Sequence, residues 1–394
     1  MLSNFLPKVI TFLLVVILTL GYKYSIWSEF ALVVVIPFVL LEWKYCHKDL
    51  KLTINRKILW GFILFSILII LAGAVNKDWP SVRKAYKYIT YAAPFFICAY
   101  LVQRFDVERS FRGAVAFAML ILNGYGLYQW HILHLPRITS IFESPNALGM
   151  TLELLVPFSI AFFFHERKYW LKSIWGIIIV TSLISIYLTG SRGSALGLFA
   201  GVFATCVIYL VRYKDALTLK KKVISIILSL IILLAGSIMV TGINAYRDHA
   251  SGGERAIMFE SSYRMWEDHK ISGVGMAHWK ENYYGPYRPK NQHEANLDMP
   301  HDMIIYYMST TGIIGTIGYG IYIFLTLAGL IQLIKQDKQL KYVHAAGLII
   351  FIGYIMVHGL VDGTIINTNI SKIYYLMFGY AISNDIYSIR KDIS

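Results

Sequence analysis

Residues 174–211 read IWGIIIVTSLISIYLTGSRGSALGLFAGVFATCVIYLV, two apolar runs with one charged side chain, Arg192, between them. Each run is close to the 20 or so residues that an α-helix needs to cross a hydrocarbon core of roughly 30 Å. Thr189-Gly190-Ser191 supplies a small, flexible turn, so the stretch reads as two membrane helices joined at one face of a bilayer. Gly193, Gly197 and Gly201 then follow at four-residue spacing, the pattern that lets two helix backbones approach closely in lipid.

The same reading extends outward over the whole chain. A helix-length window finds apolar segments near 5–22, 29–43, 58–75, 85–102, 113–130, 146–164, 171–190, 194–211, 223–241, 303–333, 344–361 and 371–387. The expectation is an all-α polytopic membrane protein of about 12 transmembrane helices. Its parts are a membrane domain over 1–242, a long loop with an amphipathic helix over 243–300, and a second membrane portion over 301–394. Of the 394 residues, 57% are hydrophobic and 15% charged, against roughly 45–50% and 25% in soluble domains, which excludes an ordinary cytosolic enzyme. The first run has Lys8 before it and no small-x-small cleavage site, so it reads as a retained anchor helix. Cys46, Cys98 and Cys206 form no spacing that suggests a disulfide frame or a metal site.

The net charge of +14 is mostly a topology signal. With the N-terminus in the cytoplasm, 22 of the 37 Lys and Arg fall on inner connections and 15 on outer ones, seven of those 15 in the long loop. Long loops weigh little in the positive-inside rule, so both termini are expected inside. The acids divide as nine inside, thirteen outside and Glu153 within a span, which leaves the outer face almost neutral. Nothing in that distribution calls for a nucleic-acid partner.

Polar residues with chemical potential collect on the outer side. Arg192 sits among small neighbours, where its guanidinium is either a donor to phosphate or a boundary arginine reaching for water. The loop segment 254–270 places Phe259, Tyr263 and Trp266 at helical spacing, one face of an amphipathic helix, with Arg264 turned to the polar side. Residues 279–296 read as irregular. His301 stands where the loop re-enters the membrane, followed by Asp302. Arg83, Lys84 and Lys87 form a cationic cluster that topology does not require, either a phosphate grip or an interfacial anchor. Glu153, His358 and Asp362 are ionisable groups inside or at the ends of spans, which makes them functional candidates. Two guanidiniums and an imidazole at a membrane face are what transfer from a phosphate-linked donor would use: the arginines neutralise a diphosphate and the histidine takes a proton from an attacking hydroxyl. A metal site from Asp298, His301 and Asp302 lacks supporting spacing. No phosphate-binding glycine loop or serine-hydrolase elbow is present.

Three stretches together, TGSRGSALGLFAG (189–201), SSYRMWEDHKISGVG (261–275) and PHDMIIYYMSTTGIIG (300–315), resemble the O-antigen ligase family of membrane glycosyltransferases. The resemblance implies an inverting transferase, independent of metal and cofactor, that moves a glycan from undecaprenyl diphosphate to an acceptor sugar. It implies Arg192 and Arg264 at the donor diphosphate and His301 as the base, with Arg83, Lys87, Tyr263, Trp266 and Asp302 as substrate-side candidates. For a ligase the acceptor is the lipid A-core oligosaccharide. A polymerase shares the donor and hands the chain to another lipid-linked repeat, and the single large loop favours the ligase. Such a protein would lie in the bacterial inner membrane with its site facing the periplasm. This chain departs from the family in having Asp302 where Asn is usual and Thr311 where an acid often precedes Gly-x-x-Gly. Asp302 would either orient the imidazole or cap the following helix. A transporter of lipid-linked glycans is the reading from another class. It would want broken helices at the midplane in two corresponding halves, whereas the sequence shows only Glu153 well inside a span.

Overall fold

A computed structural model describes residues 2–21, 29, 35–37, 39–40, 52–212, 218–246, 251–289, 297–336 and 342–383. Among these residues the regular structure is helical and there is no strand. Seven helices are long and apolar enough to cross a membrane: Arg56–Val75, Glu108–His131, Pro145–His165, Tyr169–Thr189, Arg192–Arg212, Met303–Gln336 and Tyr342–Leu360. Leu2–Leu20 and Leu219–Tyr246 add two more apolar helices. The segment expected at 29–43 and the end of the one expected at 371–387 lie outside the described residues.

The fourth expected span, 85–102, is not one helix. It divides at Tyr91-Ala92 into Trp79–Thr90 and Ala93–Arg104. Each has 12 residues, which at 1.5 Å per residue gives about 18 Å, too short to cross a bilayer alone. Pro80 and Pro94 explain the division, because each stands in the first turn of its helix, where proline is tolerated and starts a helix afresh. The cationic cluster Arg83, Lys84 and Lys87 therefore belongs to a short surface helix.

Pro145–His165 is the axis of the bundle. It buries 83% of its apolar window inside the protein, against 33% for each of its sequence neighbours Tyr169–Thr189 and Arg192–Arg212. Ser144 caps it by accepting a hydrogen bond from the Ala147 N–H at 3.2 Å, with Pro145 at the first helical position. Helix Arg56–Val75 packs along Met303–Gln336, and Thr368–Ser383 packs on Ala93–Arg104. The Tyr342 span begins as α-helix, widens to a π segment at Phe351–Val357 and tightens to a 3-10 turn at His358–Leu360. Its widened part lies against the Arg192 helix.

Met303–Gln336 is interrupted at Gly312, whose φ of 60° and ψ of −155° are open only to glycine. The break frees backbone groups that lipid cannot satisfy, and the loop segment 270–275 takes them up. The N–H groups of Val274 and Gly275 donate to the carbonyls of Ser309 and Thr310, each at 2.9 Å. In return, Ile313 and Ile314 donate to the carbonyls of Lys270 and Ile271 at 2.8 and 3.3 Å. Two of the stretches that carry the family resemblance, HKISGVG and STTGIIG, are thus the two halves of one joint.

The rest of the loop folds on that joint. Helix Ser251–Asp268 buries Met258, Ser261, Ser262 and Met265 against Trp279 and Tyr283 of the short helix Trp279–Tyr284. The Trp279 indole donates to Ser262 Oγ at 3.0 Å. The face packed within the protein is the methionine and serine face, which leaves Tyr263 46% exposed beside Trp266; one expectation is corrected, since residues 279–284 are helical rather than irregular. Asn76 and Ser81 tie the loop to the end of the Arg56 helix: Asn76 Nδ2 donates to the Gly273 carbonyl at 3.1 Å, and the Ala277 N–H donates to Ser81 Oγ at 3.0 Å.

Candidate functional site

The glycine stripe of the Arg192 helix faces the Tyr342 span at backbone contact. A Cβ at Gly193 would lie 2.5 Å from His358 Nε2, one at Gly197 would lie 2.9 Å from the Gly353 carbonyl oxygen, and one at Gly201 would lie 2.5 Å from the Ile349 carbonyl oxygen. No larger residue fits at these three places without moving the partner helix. The close approach closes over a buried ionisable pair, Glu153 Oε2 and His358 Nδ1, 2.5 Å apart and each 1% exposed. A pair sealed this deeply is costly to bury, and losing either partner would leave a buried charge or an unpaired polar group.

His358 links this pair to the outer end of the site. Its carbonyl accepts the N–H groups of Val361 and Asp362 at 2.9 and 3.0 Å, which ends the span and turns the chain. Asp362 then reaches His301: Oδ1 lies 2.8 Å from His301 Nδ1 and also accepts the Gly363 N–H at 2.8 Å. Burial pushes the Asp362 carboxyl up, but the hydrogen bond and charge of His301, with His358 and the Gly363 N–H behind them, outweigh it and hold the carboxyl below its ordinary range. An ionised carboxylate only accepts, so Nδ1 is the donor in this bond, and in the neutral ring Nε2 is the nitrogen left to accept a proton. His301 adopts a φ of 51°. Its side chain is 32% exposed against 11% for Asp362, so the imidazole lies at the mouth and the carboxylate behind it.

Asp302 does something else. Its Oδ1 accepts the Ile305 N–H at 2.8 Å and caps the Met303 helix, and burial raises its carboxyl above the ordinary value. Of the two roles open to Asp302 in the sequence, the structure shows the cap, and the orienting carboxylate beside His301 is Asp362.

Arg192 opens its helix, and the next residue, Gly193, lies against His358. The turn before it is held from another direction: Arg137 Nε donates to the Thr189 carbonyl at 2.7 Å and Nη2 to Asn146 Oδ1 at 3.1 Å. Gly190 takes the left-handed conformation, φ 65°, that closes the Tyr169 helix. The start of the Arg192 helix, His358, Asp362 and His301 therefore form one connected neighbourhood drawn from two spans and a loop end.

The loop helix carries two arginines, Arg255, whose charge bears on His358, and Arg264. Arg264 is nine residues further along the same helix, about 13.5 Å by helical rise. There its Nη2 donates to the Tyr287 carbonyl at 3.2 Å on an exposed face. Arg83 and Lys87 line an open cleft of about 1010 Å³ with Tyr91, Ile366 and Thr368. Tyr91 and Thr368 share a hydrogen bond of 2.9 Å between their hydroxyls. Since Ile366 is four residues beyond Asp362, its Cα is at most about 14 Å from that of Asp362, and the cationic cleft adjoins the His301 pair across a single short loop. Among the described residues, no three His, Cys, Asp or Glu side chains converge as metal ligands.

No curated protein matches the chain. Residues 177–320 match the family described as O-antigen ligase. That stretch carries Arg192, Arg255, Arg264, His301 and the Gly312 break, while Glu153, His358 and Asp362 come from outside it. Residues 177–320, a little over a third of the chain, are thus similar to the O-antigen ligase family, and they sit in a chain whose described residues are helical, with several helices long and apolar enough to cross a membrane.

Proposed function

We propose that this protein is an O-antigen ligase, a metal-independent inverting glycosyltransferase that moves a glycan from undecaprenyl diphosphate to the lipid A-core oligosaccharide at the periplasmic face of the inner membrane. The observation that carries the reading is the His301 to Asp362 pair, which the turn after His358 brings close to the start of the Arg192 helix. A histidine whose Nδ1 proton is held by a buried carboxylate presents Nε2 as a base and stabilises the imidazolium that forms.

In the mechanism that follows from these roles, Nε2 of His301 takes the proton of an acceptor hydroxyl. The hydroxyl oxygen forms its bond to the anomeric carbon from the face opposite the donor phosphate, while the bond from that carbon to the phosphate oxygen breaks. Undecaprenyl diphosphate leaves with the electron pair, and its new charge is met by Arg192 and Arg255, with Arg83 and Lys87 across the loop. Asp362 keeps its charge throughout. Glu153 and His358 position the Asp362 turn and the start of the Arg192 helix.

The test is transfer by purified protein from undecaprenyl-diphosphate-linked glycan, with lipid A-core and lipid-linked repeat offered as rival acceptors. Product on lipid A-core with inverted anomeric configuration is the expected result. Product on the lipid-linked repeat alone would make the protein a polymerase, and no product with either would refute the transferase reading.

A further inference from the structure

A second charged site lies at the opposite end of the bundle. Pro145–His165 has 21 residues, about 31 Å, and begins near Arg192, where Gly149 packs on Ser191 and Ser194. Its far end at His165 is therefore one bilayer thickness away, in the other leaflet. There the ends of three helices, Glu108–His131, Pro145–His165 and Tyr169–Thr189, surround an open cleft of about 1960 Å³.

The cleft has two chemically distinct parts. Gly113, Ala116, Phe117 and Leu120 line it from the Glu108 helix, and Leu171 and Ile174 line it from the Tyr169 helix, so its inner walls are an apolar groove between two spans. Gly113 opens that groove, since a Cβ there would meet nothing within 4 Å. The mouth is cationic. Arg112 is already paired with Glu108 and, at 3.6 Å, with Glu166, and lies 5.6 Å from the Phe162 ring centre. Arg109, Arg167 and Lys168 are exposed beside it and, among the described residues, no carboxylate lies within ion-pair distance of them. Glu166 is occupied by Arg112 and by the N–H groups of Arg167 and Lys168, which leaves Asp106 as the remaining acid in the lining.

We propose that this cleft binds an anionic phospholipid of that leaflet, with its phosphate between Arg109, Arg167 and Lys168 and one acyl chain in the groove beside Gly113. The match is one of charge and shape: a fixed negative head directly above a hydrocarbon chain is what a cationic mouth above an apolar intramembrane groove accepts. Bound there, the lipid ties the ends of three spans, two of which, Pro145–His165 and Tyr169–Thr189, reach the candidate site at their other ends.

The experiment uses the full chain in phosphatidylcholine nanodiscs with and without phosphatidylglycerol, read by native mass spectrometry of retained lipid and by thermal unfolding. Phosphatidylglycerol should be retained and should raise the unfolding midpoint, while phosphatidylcholine should not substitute for it. The triple variant Arg109→Gln, Arg167→Gln, Lys168→Gln leaves the Arg112 pairs intact and should bind phosphatidylglycerol on the order of 100-fold more weakly, about fivefold for each cation removed. Gly113→Leu fills the groove without strain or charge change and should also displace the lipid while leaving the unliganded midpoint unchanged or higher. Equal retention of both lipids by the unaltered protein, or phosphatidylglycerol retained by both variants, would overturn the proposal. So would binding that appears only after residues 384–394 are removed, which would make the chain's own end the occupant.

Discussion

Replacing Gly312 by Ala should open the joint between the loop and the Met303 helix. The methyl group has two separate costs. At φ 60° and ψ −155° a Cβ is strained by about 1–3 kcal/mol, and here it would also stand 2.5 Å from the Ser272 nitrogen and against the Ile271 carbonyl. Relieving that overlap needs a shift of about 1 Å, which breaks the bonds from Ile313 and Ile314 to the carbonyls of Lys270 and Ile271. Two lost backbone hydrogen bonds at about 1 kcal/mol each bring the total to about 3–5 kcal/mol. Opening of the joint should then be favoured by roughly 10²–10³-fold or more. Hydrogen-deuterium exchange of the peptides covering 270–275 and 313–314 reads this directly. Gly320→Ala is the control with the opposite sign: eight residues along the same helix, with nothing within 4 Å of its Cβ, it should stabilise by about 0.5–1 kcal/mol. Wild-type exchange at 270–275 in Gly312→Ala protein would refute the account of how the loop is held.

Three further outcomes follow from the site. Asp362→Asn should slow transfer about 10–100-fold, the worth of a hydrogen bond to a charged partner, whereas Asp302→Ala should cost about 1 kcal/mol of stability and little rate; the reverse pattern in rate and melting measurements would exchange their roles. Arg255→Ala should lower transfer about 10²–10³-fold while Arg264→Ala lowers it only a few-fold, and a larger loss at Arg264 would move the donor site along the loop helix. The loop attachment should also depend on pH. Burial lowers His278, but its hydrogen bonds to Glu281 and Asp78 outweigh this and raise it above the ordinary histidine value, while Asp78, pushed up by burial, is held below its ordinary range by Ser81 and His278. The histidine contribution is complete below an ordinary histidine pKa and is lost as pH rises through the raised value. The Asp78 contribution is present above the carboxylate range and is lost on acidification. Proteolysis of residues 269–289 should therefore be slowest between roughly pH 4 and 7. It should accelerate at higher pH in unaltered protein and lose that pH dependence in His278→Gln.

Much of this protein was open to reading from the chain because lipid imposes a local rule. Every span must be apolar and internally hydrogen-bonded, so helices such as Arg56–Val75 and Pro145–His165 announce themselves by composition. The four-residue glycine spacing at 193, 197 and 201 likewise marked a close helix contact. The division of residues 79–104 was also written in the sequence, in the two prolines that start its helices, but continuous hydrophobicity concealed it.

Partnership was what the chain could not declare. Asp362 stood out as an ionisable residue at a span end, yet it is 61 residues from His301, and only the turn after His358 brings the two together. The sequence favoured Arg264 for its aromatic neighbours, and nothing local pointed to the charge of Arg255 bearing on His358. Thr311 marked a departure from a family pattern, and only the packed loop shows that the adjacent Gly312 breaks the helix to receive residues 270–275. Periodicity and composition report each segment's own solvent, which a single helix feels along its length. The meeting of one polar side chain with another depends on how several helices pack, and that is decided by contacts between residues far apart in the chain.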